Sequence, residues 1–125
     1  MIIVQFIELL AVHWFGDFVL QSRWMGVNKS KYNSVLAIHV AIYTTTLVLG
    51  TGIIFKISGS SLYPTTFWTF IAINGVLHFC TDYVTSRITS KLYAAKEYYW
   101  FFVIIGLDQL IHQVTLAVTL VWLLT

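Results

Sequence analysis

Charge is scarce in this chain: Lys, Arg, Asp and Glu make up 10% of its 125 residues, against 58% hydrophobic ones. A soluble domain carries roughly a quarter charged residues and about half apolar ones, so an ordinary water-facing surface is excluded. A soluble domain of this length would have to hide several apolar stretches of about 20 residues, more than its surface-to-volume ratio can cover, whereas a bilayer requires spans of that length. The net charge is +2, with the basic residues scattered, which excludes a nucleic-acid-binding stripe and a polybasic lipid switch. Cysteine is limited to Cys80. An intrachain disulfide and a Cys-x-x-Cys redox or zinc motif are therefore ruled out, and Cys80 reads as a small buried hydrophobe. The His-Glu-x-x-His and Gly-x-Ser-x-Gly signatures are also missing, which leaves peptide cleavage and serine chemistry without direct support.

What is present is long apolar runs. Four spans are expected: Ile2 to Leu20, Val35 to Ile57, Phe67 to Val84 and Tyr99 to Leu124, each near the length that crosses a bilayer. They give an all-α integral membrane protein, one compact four-helix bundle occupying the whole chain. The first run lacks a preceding basic segment and carries His13 and Asp17, which fits a retained span better than a cleaved signal peptide. The connections are Gly26 to Asn33, Ser58 to Pro64, and a basic stretch from Arg87 to Glu97, all rich in turn formers or charge. The lone proline, Pro64, stands where a helix should begin. Arg23, Lys29 and Lys31 flank the first connection and Arg87, Lys91 and Lys96 the third, while the second has only Lys56. The positive-inside rule then places the first and third connections in the cytoplasm and both termini outside. Trp24, Tyr32, Tyr98, Tyr99 and Trp100 mark one interface and Tyr63, Trp68 and Trp122 the other.

One motif occurs twice. His13-Trp-Phe-Gly-Asp17-Phe-Val19 in the first span matches His78-Phe-Cys-Thr-Asp82-Tyr-Val84 in the third. Both copies run toward the same membrane face, so spans one plus two and three plus four read as parallel helix-hairpin repeats. Chance likeness between apolar helices is the alternative, although the polar positions coincide as well as the apolar ones.

All four histidines lie in the expected spans, as do all three aspartates: His13 with Asp17, His39 alone, His78 with Asp82, and Asp108 with His112. An i, i+4 spacing sets each couple on one helix face, one turn apart. Gln21, Tyr43, Asn74 and Thr115 extend the stripes. At about 1.5 Å per residue, Asp17 and His13 lie roughly 9 and 15 Å in from Arg23, and Asp82 and His78 roughly 8 and 14 Å from Arg87. His39 lies roughly 8 Å beyond Asn33, and Asp108 and His112 roughly 14 and 20 Å beyond Tyr99. All seven can meet between mid-membrane and the cytoplasmic face. An unpaired Asp near the bilayer centre costs on the order of 2.5–3.5 kcal/mol, so three of them require partners or a function.

Hydrogen-bonded clamping of helices yields only about 0.6 kcal/mol per contact, a poor return for seven costly groups. Imidazole with carboxylate suits zinc, iron, nickel or manganese, and inward ligands on four helices fit a bundle metal site. His13, His39, His78 and His112 are the ligand candidates; Asp17, Asp82 and Asp108 are ligands, catalytic carboxylates or groups that orient the histidines. Seven groups exceed what one tetrahedral ion needs, which leaves either outer carboxylates or two ions. The leading reading is a divalent-metal protein, with zinc the first choice, pointing to hydrolysis of a lipid-linked or small amphipathic substrate. A proton or cation relay built as a homo-oligomer and a non-catalytic scaffold are the alternatives. Glu8 reads as an interfacial or helix-pairing acid, Gln21, Lys29 and Gln109 as interfacial or pairing residues, and Ser22, Asn33 and Ser34 as helix ends.

At these residues the chain resembles a bacterial and phage family of small inner-membrane proteins, the domain of unknown function DUF3307. The likeness rests on Ala11-Val-His-Trp-Phe-Gly-Asp17-Phe-Val-Leu-Gln21 with Asn28-Lys29 following, on His39 opening the second span, on His78-Phe-Cys-Thr-Asp82-Tyr, and on Leu107-Asp-Gln-Leu-Ile-His112. It covers most of the chain and implies no particular activity. More distantly, His-x-x-x-Asp in membrane spans is similar to membrane-bound metal-dependent hydrolases.

Overall fold

The computed structural model describes residues 2–61 and 63–124; Leu62, within the expected second connection, lies outside the described residues. Every regular element among them is helical. Helix α1 (Ile2–Trp14) widens into a π-helical turn, Phe15–Val19, and is followed by the short α2 (Arg23–Asn28), then α3 (Asn33–Ser58), α4 (Pro64–Ala94) and α5 (Tyr98–Leu124). The punctuation has local causes. Ser22 caps α2, its hydroxyl accepting from the Met25 N–H at 3.2 Å, as a short polar side chain does at an N-terminus. Gly59 ends α3 at φ 67°, a left-handed conformation that glycine adopts without a Cβ penalty. Pro64 sits in the first turn of α4, where its missing N–H costs nothing.

Two elements differ from the sequence reading. Helix α4 continues past Val84 to Ala94, because Arg87 and Lys91 are sound helix formers and no breaker intervenes. The charge there decorates a helix end instead of marking a loop. Within the first connection, α2 forms where only a turn was expected.

Ile2–Val19, Asn33–Ser58 and Tyr98–Leu124 are long and apolar enough to cross a membrane. Helix α4 is the longest element, but it does not meet that composition. Its inner face carries Asn74, His78 and Asp82, and its end carries Arg87 and Lys91. In its helix packing, α1 lies on α3 and α5, and α4 also lies on α3 and α5, so the four long helices close a ring of contacts. Arg87 Nη2 donates to Asn33 Oδ1 at 2.6 Å, which brings the basic first and third connections to one end. At the other end, Gln5 Nε2 donates to the hydroxyls of Ser58 (3.2 Å) and Ser60 (3.4 Å).

The interior has two storeys. Toward the second connection lies an apolar layer of Leu9, Leu47, Phe55, Phe70, Leu116 and Leu120. Toward the basic connections the buried side chains include His13, Asp17, His39, His78, Asp82 and His112, beside Met25, Val35 and Leu36. Outside, Ile3, Ile7, Leu49, Ile53, Val76, Phe102 and Val118 are exposed. Polar groups within and apolar groups without reverse the arrangement water imposes, and suit a hydrocarbon solvent. Cys80 is exposed, correcting its reading as a buried hydrophobe: two residues beyond His78, it is turned about 200° away from the inward stripe.

Close packing of α1 on α3 depends on Gly50, where a Cβ would meet the Val12 methyls at 2.5 and 2.6 Å. Alanine at a helical glycine normally gains about 1 kcal/mol, but overpacking costs about 1–3 kcal/mol. Gly50→Ala is therefore expected to lower the unfolding midpoint in detergent, and adding Val12→Ala to restore it; a single variant as stable as its parent contradicts this contact.

Candidate functional site

The polar storey draws side chains from α1, the π turn, α3, α4 and α5. A π turn holds one extra residue, here seen in the Leu20 N–H bonding to the Phe15 carbonyl at 3.0 Å, and such turns recur at functional sites. Asp17 lies within it and points inward. Its Oδ1 accepts from His39 Nε2 at 3.1 Å and lies 3.4 Å from His78 Nε2. Across the site, Asp82 Oδ2 lies 3.3 Å from His39 Nε2 and 3.7 Å from His78 Nε2. The two imidazole Nε2 atoms are themselves 3.3 Å apart.

These four atoms, all on buried residues, lie within 4.8 Å of one another. Five of their six separations, all but that between the two carboxylates, span 3.1 to 3.7 Å. A tetrahedral ion with bonds near 2.1 Å spaces its ligands about 3.4 Å apart. Hydrogen bonding accounts for the cluster poorly. Each Nε2 faces both carboxylates and the other Nε2, and one N–H cannot serve three directions. The Nδ1 atoms of His39 and His78 are buried with no partner among the described residues, so Nε2 is the atom each ring offers to the cluster.

The rest of the storey holds these groups in place. The His78 ring is sandwiched between Tyr43 (centroids 3.9 Å, planes 17° apart) and His112 (4.1 Å, 16°). His112 Nε2 donates to Asp82 Oδ1 at 3.1 Å and lies 3.5 Å from Asp108 Oδ2. Asp108 accepts from the Thr85 hydroxyl and, at 3.0 Å, from Gln109 Nε2. The same Gln109 nitrogen donates to Asp17 Oδ2 at 3.0 Å, while its carbonyl oxygen accepts from His13 Nε2 at 3.1 Å. That fixes the His13 proton on Nε2 and leaves Nδ1 to accept from the Tyr43 hydroxyl at 3.3 Å.

All seven predicted groups thus share one storey. Asp17, His39, His78 and Asp82 form one ligand set, and Asp17, Asp108 and His112 a second that shares Asp17. His13 contributes to neither set, being 3.7 Å from Asp17 and engaged by Tyr43 and Gln109. Glu8 is exposed on α1. Two residues read as interfacial or helix-pairing belong to the site. Lys29 Nζ donates to Asp82 Oδ2 at 2.7 Å, and Gln109 links Asp17, Asp108 and His13. Thr85 was missed, although it stands three residues beyond Asp82 on the same stripe. With neutral imidazoles the charges sum to −3 (Asp17, Asp82, Asp108) + 1 (Lys29) = −2, which one divalent cation neutralises.

Lys29 and Asp82 are largely shielded, their side chains 15% and 2% exposed, and exposed ion pairs typically contribute only about 0.2–1 kcal/mol. A double-mutant cycle with Lys29→Met and Asp82→Asn in chelator-treated protein is expected to give a coupling of about 2 kcal/mol. Additive effects of the two substitutions contradict the pairing.

Comparison with known proteins bears on the chain as a whole. No curated protein and no solved structure matches it. The family model described as Protein of unknown function (DUF3307) matches residues 5–125, and with nearly the whole chain covered, this protein belongs to the DUF3307 family.

Proposed function

We propose that this protein is a four-span membrane protein that holds one divalent metal ion, zinc by preference, between Asp17, His39, His78 and Asp82, and that its chemistry is metal-dependent hydrolysis. The supporting observation is the set of near-tetrahedral separations among those four ligand atoms, in a donor set of two imidazoles and two carboxylates that suits zinc. Helix α4 is the fourth span: its polar face is covered by its neighbours, while Ile73, Val76, Leu77 and Val84 are exposed on the outside. The α1–α3 and α4–α5 hairpins are parallel repeats, each contributing a His-x-x-x-Asp copy to the bundle. The basic connections face the cytoplasm of a bacterial inner membrane and both termini face outward.

A divalent ion held by Asp17, His39, His78 and Asp82 would supply Lewis acidity, and it would bring the pKa of water close to neutral where water is admitted beside those four ligands. Asp108, held by Thr85 and Gln109, is the carboxylate outside the four-ligand set. It accepts the proton as the water oxygen bonds to the electrophilic centre and returns it to the leaving group, so the three aspartates divide into two ligands and one acid–base group. Gln109 positions Asp17 and Asp108 together. Cation or proton passage is disfavoured by the apolar layer of Leu47, Phe55, Phe70 and Leu116, which separates the polar storey from the Gln5, Ser58 and Ser60 end and is interrupted by only a few buried polar groups such as Thr51.

Protein purified without chelator is expected to carry about one divalent ion per chain by elemental analysis. The His78→Ala, Asp82→Ala double variant should lose it, and Asp108→Asn should keep it. Metal-free parent protein, or undiminished metal in the double variant, rejects the assignment.

A further inference from the structure

Beside the carboxylates lies a cavity of about 610 Å³, bounded by the π turn, the α1–α3 connection, the end of α4 and the start of α5. Its floor includes Asp17, Lys29, Asp108 and Gln109, and one wall is apolar, with Phe18, Val27, Phe101 and Ile105. The volume falls within the range of small-molecule sites, roughly 300–1,000 Å³. Helix α1 packs on α5, but the π turn makes no comparable backbone approach to α5 among the described residues, and α2 packs only on α3. The ring of helices is therefore parted on this side, with exposed Phe18 at the gap. On the outward face of a membrane protein such a gap admits lipid.

The polar lining has unused capacity of a definite kind. Ser86 is 9% exposed, and its hydroxyl oxygen is buried with no partner among the described residues, as is the Gln21 carbonyl oxygen; both residues line the cavity. The Lys31 side chain also lines it, and its ammonium is unpaired among the described residues. The carboxylates facing the cavity are already engaged, Asp108 by Thr85 and Gln109, and Asp17 by His39 and Gln109. Lys29 is committed to Asp82. What remains includes one cation, one buried hydroxyl donor and one buried acceptor beside an apolar exit, with the Ser30, Ser90 and Tyr93 hydroxyls also on the wall. A phosphate monoester on an alkyl chain matches that set: anionic oxygens for Lys31 and Ser86, a P–OH for Gln21, and a chain leaving past Phe18.

We infer that this cavity binds a phosphate-bearing single-chain amphiphile taken sideways from the bilayer. The inference rests on the proposed membrane-embedded site and names the substrate class for it. Binding is tested on the full chain in phosphatidylcholine nanodiscs, stripped of metal by chelator, with hexadecyl phosphate, hexadecanol and inorganic phosphate as probes. Hexadecyl phosphate is expected to bind at least tenfold more tightly than either other probe, about 1.4 kcal/mol or more. Lys31→Gln, at an exposed position, and Ser86→Phe, which fills the cavity, should each weaken it about tenfold, with zinc loading of both variants unchanged. Equal binding of hexadecanol, equal binding of inorganic phosphate, or no effect of Lys31→Gln overturns the inference. Amphiphile binding by a chain that takes up no zinc contradicts only the metal assignment, and zinc uptake without amphiphile binding contradicts only this one.

Discussion

The mutual compensation of Asp17 and Asp82 by His39 and His78 is the constraint on which the architecture depends. Carboxylates removed from water are tolerated only when paired, and in hydrocarbon no solvent makes up a missing partner. The partners come from four parts of the chain: Asp17 follows α1, His39 is on α3, and His78 and Asp82 are on α4, with His112 of α5 on the far oxygen of Asp82. The pairs therefore fix which face each helix turns inward, how the helices neighbour one another and their relative heights. The apolar layer at the other end could be met by many arrangements of Leu and Phe; the polar layer is far more restrictive.

The duplicated motif is used unequally. In α4 the helix runs straight through His78 and Asp82, and both residues join the four-ligand set. In the first copy the helix widens after Trp14, and Asp17 joins the set while His13 is turned to Tyr43 and Gln109. Beyond the widened turn, α1 no longer accompanies α5, and the cavity opens there. One local departure from α geometry thus coincides with the divergence of the two copies and with the opening of the cavity beside the polar layer.

Much of this was legible in the sequence, for physical reasons. The i, i+4 couples declared their shared helix face, and depth counted from the basic ends placed all seven groups in the same half of the spans. Helix α4 was read as a span from its apolar run, but the polar residues on its inner face and the charges at its end dilute its hydropathy, and it is not among the helices apolar enough to cross a membrane. Lys29 could not be found by periodicity, since it lies beyond α2 in a connection and reaches Asp82 only because that segment folds back on α3. Gln109 escaped because it adjoins Asp108 and lies off the His112 stripe. The π turn left no sign in the sequence; it packs on α3, where a Cβ on Gly16 would come within 3.2 Å of Thr46.

The central claim concerns the atoms around one ion. X-ray absorption at the zinc edge on the zinc-loaded protein measures them directly. The account predicts four or five nitrogen or oxygen neighbours at about 2.0–2.2 Å, the fifth being water, and the outer-shell pattern of two imidazoles. A sulfur neighbour near 2.3 Å, or a first shell without imidazole, would contradict it.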